Sequence, residues 1–196
     1  MENLRQQTKP ETTKRPLIKR SGDFLQSLEQ FTFIVALFVL INMLTARFVV
    51  DGESMSPTFA GGEYLVVDRF SYNLAPPQRG DIVVFHAPNQ ANRDFVKRVL
   101  GLPSESVEFR NTRLYVNGQL IDEPYILEAC NASRCPDSFT QLGEDEYFVM
   151  GDNRNNSTDS RAFGAINLDT IVGEAVFLYW PYTDMQWIAQ LGFPNE

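Results

Sequence analysis

The sequence predicts a mainly β protein: an antiparallel β-sheet domain with a loop-rich insertion, preceded by one N-terminal transmembrane helix. Three observations carry this. From Phe31 to Ala46 the chain has no charged residue, a run that suits hydrocarbon better than water. After Val50 the texture changes to short runs of β-branched and aromatic residues with turn signals roughly every ten residues. The hydrophobic fraction of 43% and aromatic fraction of 12% supply a core that a disordered chain would lack.

Taken in order, residues 1–25 read as a polar basic tail, with Ser21 to Gln30 spaced as an entry turn able to lie at a membrane surface. Residues 26–48 read as the anchor, with Arg47 as a snorkelling end and Phe48 to Val50 lengthening the apolar stretch to a bilayer's thickness. A cleavable leader shares basic flanks and an apolar run, but no small-x-small cleavage pattern follows this one. Asn42 and Thr45 would suit a buried core helix.

Residues 49–196 form the β domain. Its expected strands are Tyr64 to Phe70, Asp81 to His86, Phe95 to Leu100, Ser106 to Phe109, Arg113 to Val116, Glu146 to Met150 and Ile171 to Trp180. Asn117-Gly118 is a hairpin signal. Between about 121 and 145 the apolar pattern fades around Cys130, Cys135 and Pro136, which marks the insertion. The two cysteines either close a small loop or stay free, according to compartment.

The formal net charge of −8 excludes a nucleic-acid partner, since a phosphate backbone needs a basic footprint. The balance is +3 up to Arg47 and −11 beyond it. By the positive-inside rule that asymmetry puts the N-terminus in the cytoplasm and the β domain on the trans side of the cell membrane, or of an internal energy-transducing one. With one histidine and two cysteines, a structural four-ligand zinc site is not expected, and neither a metal nor a cofactor is implied.

One lysine is out of place. Alternation in Phe95-Val96-Lys97-Arg98-Val99-Leu100 puts Phe95, Lys97 and Val99 on one face and Val96, Arg98 and Leu100 on the other, so at least one cation meets apolar neighbours. Lys97 either snorkels along its stem to water or is desolvated into a neutral amine able to take a proton. Just after the apolar run, Asp51-Gly52-Glu53-Ser54-Met55-Ser56-Pro57-Thr58 offers two serines, each a nucleophile or a turn residue. A Ser-His-Asp triad would rest on His86 alone, and no Gly-x-Ser-x-Gly elbow is present. A serine paired with a neutral lysine needs only Ser54, Lys97 and a dry pocket.

Four stretches resemble type I signal peptidase, a family of membrane-anchored Ser/Lys endopeptidases. They are Ser54 to Thr58, Arg79 to Phe85, Phe95 to Pro103 and Gly151 to Arg161, in the family's order. The resemblance implies Ser54 as nucleophile, Lys97 as general base, Ser157 as a hydroxyl orienting the amine, and Asp159 with Arg161 as a supporting ion pair. It further implies signal-peptide-bearing preproteins and the lipid bilayer as partners. Substrates would lie extended near Asp51 to Glu53 and Asp94 to Val96, with small residues before the cut entering shallow pockets lined by Met55, Phe59, Phe95 and Val96. Gly52 stands where one branch of the family has an oxyanion-binding serine, so the oxyanion would depend on backbone N–H groups, that of Ser54 first.

Overall fold

The computed structural model describes residues 19–88 and 93–189. The tail expected over residues 1–25 falls mostly outside them. The chain divides into two compact units, one up to Ile41 and one from Asn42 onward.

Helix α1 (Lys19–Leu44) contains a 21-residue apolar stretch, Phe24–Leu44. At 1.5 Å per residue that is about 31 Å, the thickness of a bilayer's hydrocarbon core. Its side chains from Phe24 to Met43 are exposed, as a lipid-facing helix requires. The apolar span ends earlier than the expected boundary at residue 48. Thr45–Val49 is strand β1, paired antiparallel with β2 (Tyr64–Asp68), and the Leu44 carbonyl already accepts from Arg69 N–H at 3.0 Å. The alternating exposure of Arg47, Phe48 and Val49 is that of an edge strand; apolar content alone did not distinguish this strand from the anchor.

The remaining strands are β3 (Ile82–His86), β4 (Asp94–Gly101), β5 (Ser106–Arg110), β6 (Arg113–Val116), β7 (Gln119–Leu120), β8 (Ser138–Gln141), β9 (Glu146–Met150), β10 (Ile166–Asn167), β11 (Ile171–Trp180) and β12 (Gln186–Trp187), with a short helix α2 (Ser160–Phe163). They make an eight-stranded sheet in the order β1-β2-β11-β3-β4-β9-β10, with β12 on β11, and a four-stranded sheet in the order β7-β6-β5-β8. All pairings are antiparallel.

The large sheet is covered on both faces around its centre. In β3, Ile82 and Val84 join a cluster with Met55, Phe59, Leu65 and Leu178, while Val83 and Phe85 join another with Val99, Tyr147 and Ile166. That is why β3 is apolar without interruption rather than alternating. The small sheet packs Val107, Phe109, Leu114 and Val116 against Leu100, Phe148, Met150 and a disulfide between Cys130 and Cys135. Asn117 and Gly118 both have positive φ (49° and 78°), the signature of the tight hairpin joining β6 to β7. The excursion from the large sheet is longer than the expected insertion at 121–145: it includes β5 to β7, and β8 returns inside it to pair with β5.

Candidate active site

Strand β4 has two different neighbours along its length. On one side β3 pairs from Ile82↔Arg98 to His86↔Asp94; on the other, β9 begins only at Arg98↔Met150. Asp94 to Lys97 therefore present a strand edge that no other strand occupies among the described residues. That edge forms one wall of a cleft of about 740 Å³. Phe48 to Met55 form another wall, with Asn156 to Thr158 and Arg134 completing the lining.

The Ser54 segment is a tight turn hung from the end of β1. Val50 N–H donates to Glu63 O at 2.8 Å and Val50 O accepts from Gly62 N–H at 2.9 Å, which fixes its root. Gly52 then takes φ +79°, a left-handed conformation in which a side chain would be strained although no atom lies within 4 Å of where its Cβ would be. Ser54 follows at the cleft floor. Its N–H has no acceptor among the described residues.

Lys97 Nζ donates to Ser54 Oγ at 2.7 Å and to Val96 O at 2.8 Å, and it lies 5.3 Å from the Phe95 ring centroid. The lysine is 3% exposed. Of the two fates open to it, desolvation prevails over snorkelling: burial pushes the amine down to about 8, against the opposing pull of the Asp159 and Asp152 carboxylates. A fraction of the protein at neutral pH thus carries a neutral amine beside a serine hydroxyl, an arrangement able to take the serine proton.

The polar loop after β9 ties these two elements together. Asn153 N–H donates to Ser54 O and its Nδ2 to Glu53 O, both at 3.1 Å, which holds the serine segment. Asp152 receives Arg98 Nε at 2.9 Å and Nη2 at 2.6 Å, which holds the lysine strand one residue beyond Lys97. Both partners are almost wholly buried, and Arg98 also stacks on Tyr125 at 4.3 Å. Gly151 permits this approach: a Cβ there would lie 2.3 Å from Ser157 Oγ and 2.4 Å from Ser54 O.

Asp159 and Arg161 make a direct two-pronged pair, Nε to Oδ1 at 2.8 Å and Nη2 to Oδ2 at 2.6 Å. Asp159 also accepts Gly151 N–H at 3.0 Å, and Arg161 Nη1 donates to Arg154 O at 2.7 Å, so the pair braces the loop at two points. Ser157 lines the cleft, but its Oγ is buried without a hydrogen-bond partner. The contact expected from it to the lysine amine is not made; the Val96 carbonyl takes that donor instead. Met55, Phe95 and Val96 line the cleft, Met55 with its side chain buried in the same core cluster as Phe59. Phe59 does not: it is 2% exposed and packs in the cluster of Leu65 and Leu178. His86 is exposed and pairs with Asp94 at 2.7 Å, outside the cleft lining. Among the described residues, no group of His, Cys, Asp and Glu is placed to hold a metal ion.

Sequence reasoning missed the Arg98–Asp152 pair and the buried Arg154, which binds Glu123 through two nitrogens. A signal for the first was available, because alternation places Arg98 between Val96 and Leu100 on one apolar face just as it places Lys97 between Phe95 and Val99 on the other.

A serine hydroxyl held by a buried lysine in a cleft is an arrangement that serine peptidases use. A model of the family described as signal peptidase, peptidase S26, matches residues 25–180. Signal peptidase IB of Staphylococcus aureus (strain MRSA252) is 36% identical over 168 residues, covering 78% of this chain and 87% of its own. Signal peptidase I of Bacillus caldolyticus is 38% identical over 163 residues, covering 78% and 88%. A crystal structure of a signal peptidase I from Enterococcus faecalis V583 is 35% identical and covers 50% of this chain and 95% of its own, with a TM-score of 0.45. The chain belongs to the signal peptidase family, peptidase S26, and is a serine endopeptidase that cleaves signal peptides.

Proposed function

We propose that Ser54 and Lys97 form the catalytic dyad, and that cleavage falls after small residues of exported preproteins at the membrane surface. The observation that carries this reading is the 2.7 Å contact between Lys97 Nζ and Ser54 Oγ in a buried setting. The neutral amine takes the Ser54 proton as Oγ attacks the scissile carbonyl. The Ser54 N–H faces the oxyanion, and the ammonium then protonates the leaving amine. Water, activated by the same amine, releases the acyl group and regenerates the serine. Ser157 Oγ, unpartnered in the cleft, is the hydroxyl available to the amine's remaining donor once a substrate fills the site. Asp159 and Arg161 hold the loop that carries it.

The preprotein adds a strand to the free edge at Asp94 to Val96, facing Asp51 to Glu53. Main-chain bonds supply affinity, and the half-buried side chains of Phe95 and Val96 in the cleft wall favour small side chains. The basic N-terminal end lies in the cytoplasm, the apolar span of α1 from Phe24 to Leu44 anchors the chain in a single pass, and the β domain faces the trans side, in keeping with the charge asymmetry. Protease added to intact spheroplasts is expected to reach the β domain; protection there, with digestion in inverted vesicles, contradicts this orientation.

The dyad is tested by preprotein cleavage with Ser54→Ala, Lys97→Ala and the double variant. Because both residues serve one step, the double variant should be hardly slower than either single one. Lys97→Arg should be as inactive as Lys97→Ala, since a guanidinium keeps its proton. Substantial turnover by Lys97→Ala would remove the lysine from the mechanism.

A further inference from the structure

We infer that Arg134 selects for a carboxylate side chain just after the scissile bond, an inference that rests on the proposed seating of the substrate. Three facts lead there. The cleft lining left over by the walls of Phe48 to Glu53 and Asp94 to Val96 is Asn156 to Thr158 and Arg134, which is where a chain seated along those walls would continue. At that exit Arg134 lines both the cleft and a second cavity of about 330 Å³, and the two cavities share Ser157. The second cavity also has Phe109, Pro136 and Phe148 in its wall, an apolar surface for the stem of a side chain whose polar end meets the guanidinium.

Charge along the cleft is polarised. The upstream wall carries Asp51, Glu53 and Asp94, with Arg93 engaged by Asp51 at 3.1 Å. Lys97 is committed to Ser54 and Val96, and Arg161 to Asp159 and the Arg154 carbonyl. The Arg134 guanidinium has no partner among the described residues, whereas its backbone is fixed: its N–H donates to Asn131 Oδ1 at 3.0 Å inside the loop closed by Cys130 and Cys135. A cation on an anchored loop, at the exit of a cleft whose entry is acidic, favours an acidic residue after the cut and disfavours a basic one.

The test is steady-state cleavage by the full chain in detergent, using quenched peptides identical up to the cut and carrying Glu, Gln or Lys at the first or second position after it. For an exposed charge pair the expected preference in kcat/KM is about two- to five-fold for Glu over Gln, with a similar factor for Gln over Lys. It should shrink at high salt. Arg134→Gln should erase the ranking, and Arg134→Lys should keep part of it. An equal rate for all three charges in the unaltered chain, or a ranking that survives Arg134→Gln, overturns the inference. Failure to cut any of these peptides, when Ser54 is intact, counts against the substrate seating itself and overturns the inference with it.

Discussion

Replacing Lys97 by methionine should abolish cleavage and at the same time stabilise the fold at neutral pH. Burial lowers the lysine from 10.5 to about 8, so below pH 8 the folded chain holds an ammonium where a neutral group would be preferred. That shift corresponds to about 3 kcal/mol. Methionine keeps the stem's volume but loses the bonds to Ser54 Oγ and Val96 O, each worth about 1 kcal/mol, so the net gain at pH 7 should be about 1 kcal/mol. The pH dependence is more telling than the magnitude. Between about 8 and 10.5 the unfolded lysine binds a proton that the folded one has lost, so the unaltered chain gains stability with rising pH relative to the variant. Above that window the advantage of methionine disappears. Urea unfolding of both full-length proteins in detergent, from pH 6 to 11, reads the difference. A variant less stable than the parent at pH 7, with a gap that does not change toward pH 11, would refute the reasoning, because it would mean that Lys97 is charged and favourably paired.

Three further outcomes follow from the geometry. Arg98→Met should cost about 3–5 kcal/mol by leaving Asp152 charged and unpaired, and Asp152→Leu added to it should recover part of that loss; denaturant midpoints check both. Gly52→Ser, although its hydroxyl would enter open space, should slow cleavage and cost about 1–3 kcal/mol because of the left-handed backbone, and Gly52→Asn should retain more activity than Gly52→Ser in the same assay. The chain's two tryptophans, Trp180 and Trp187, are 50% and 76% exposed beside exposed Tyr182. Their fluorescence should shift to the blue when vesicles are added to a chain beginning at Asn42, and an unchanged spectrum would make them ordinary surface residues.

The strands were legible where alternation or β-branching was strong: β6, β9 and β11 have the bounds the sequence suggested, and β2 to β5 differ by a few residues at most. Strand β1 was hidden because its apolar residues continue the anchor without a break. Strand β8 was hidden because Ser138 to Gln141 are mostly exposed and show no apolar period. Within the site, the Ser54–Lys97 pairing could be read from the oddity of a lysine in an apolar strand. The Arg98–Asp152 pair spans 54 residues and the free edge of β4 arises from where β9 starts, and neither a long-range partner nor a register is written in local pattern. Phe59 was placed in a pocket only by the family resemblance; the turn carries its N–H back onto Met55 O and its ring into the core.

The pH dependence of kcat/KM for preprotein cleavage, measured for the unaltered chain and for His86→Ala, tests the dyad most directly. With Lys97 as base, activity rises through an apparent pKa near the lysine's value of about 8, well below its usual 10.5, and His86→Ala leaves that limb in place. An ascending limb near 6.5, the ordinary range of histidine, that vanishes in a folded His86→Ala protein would contradict it.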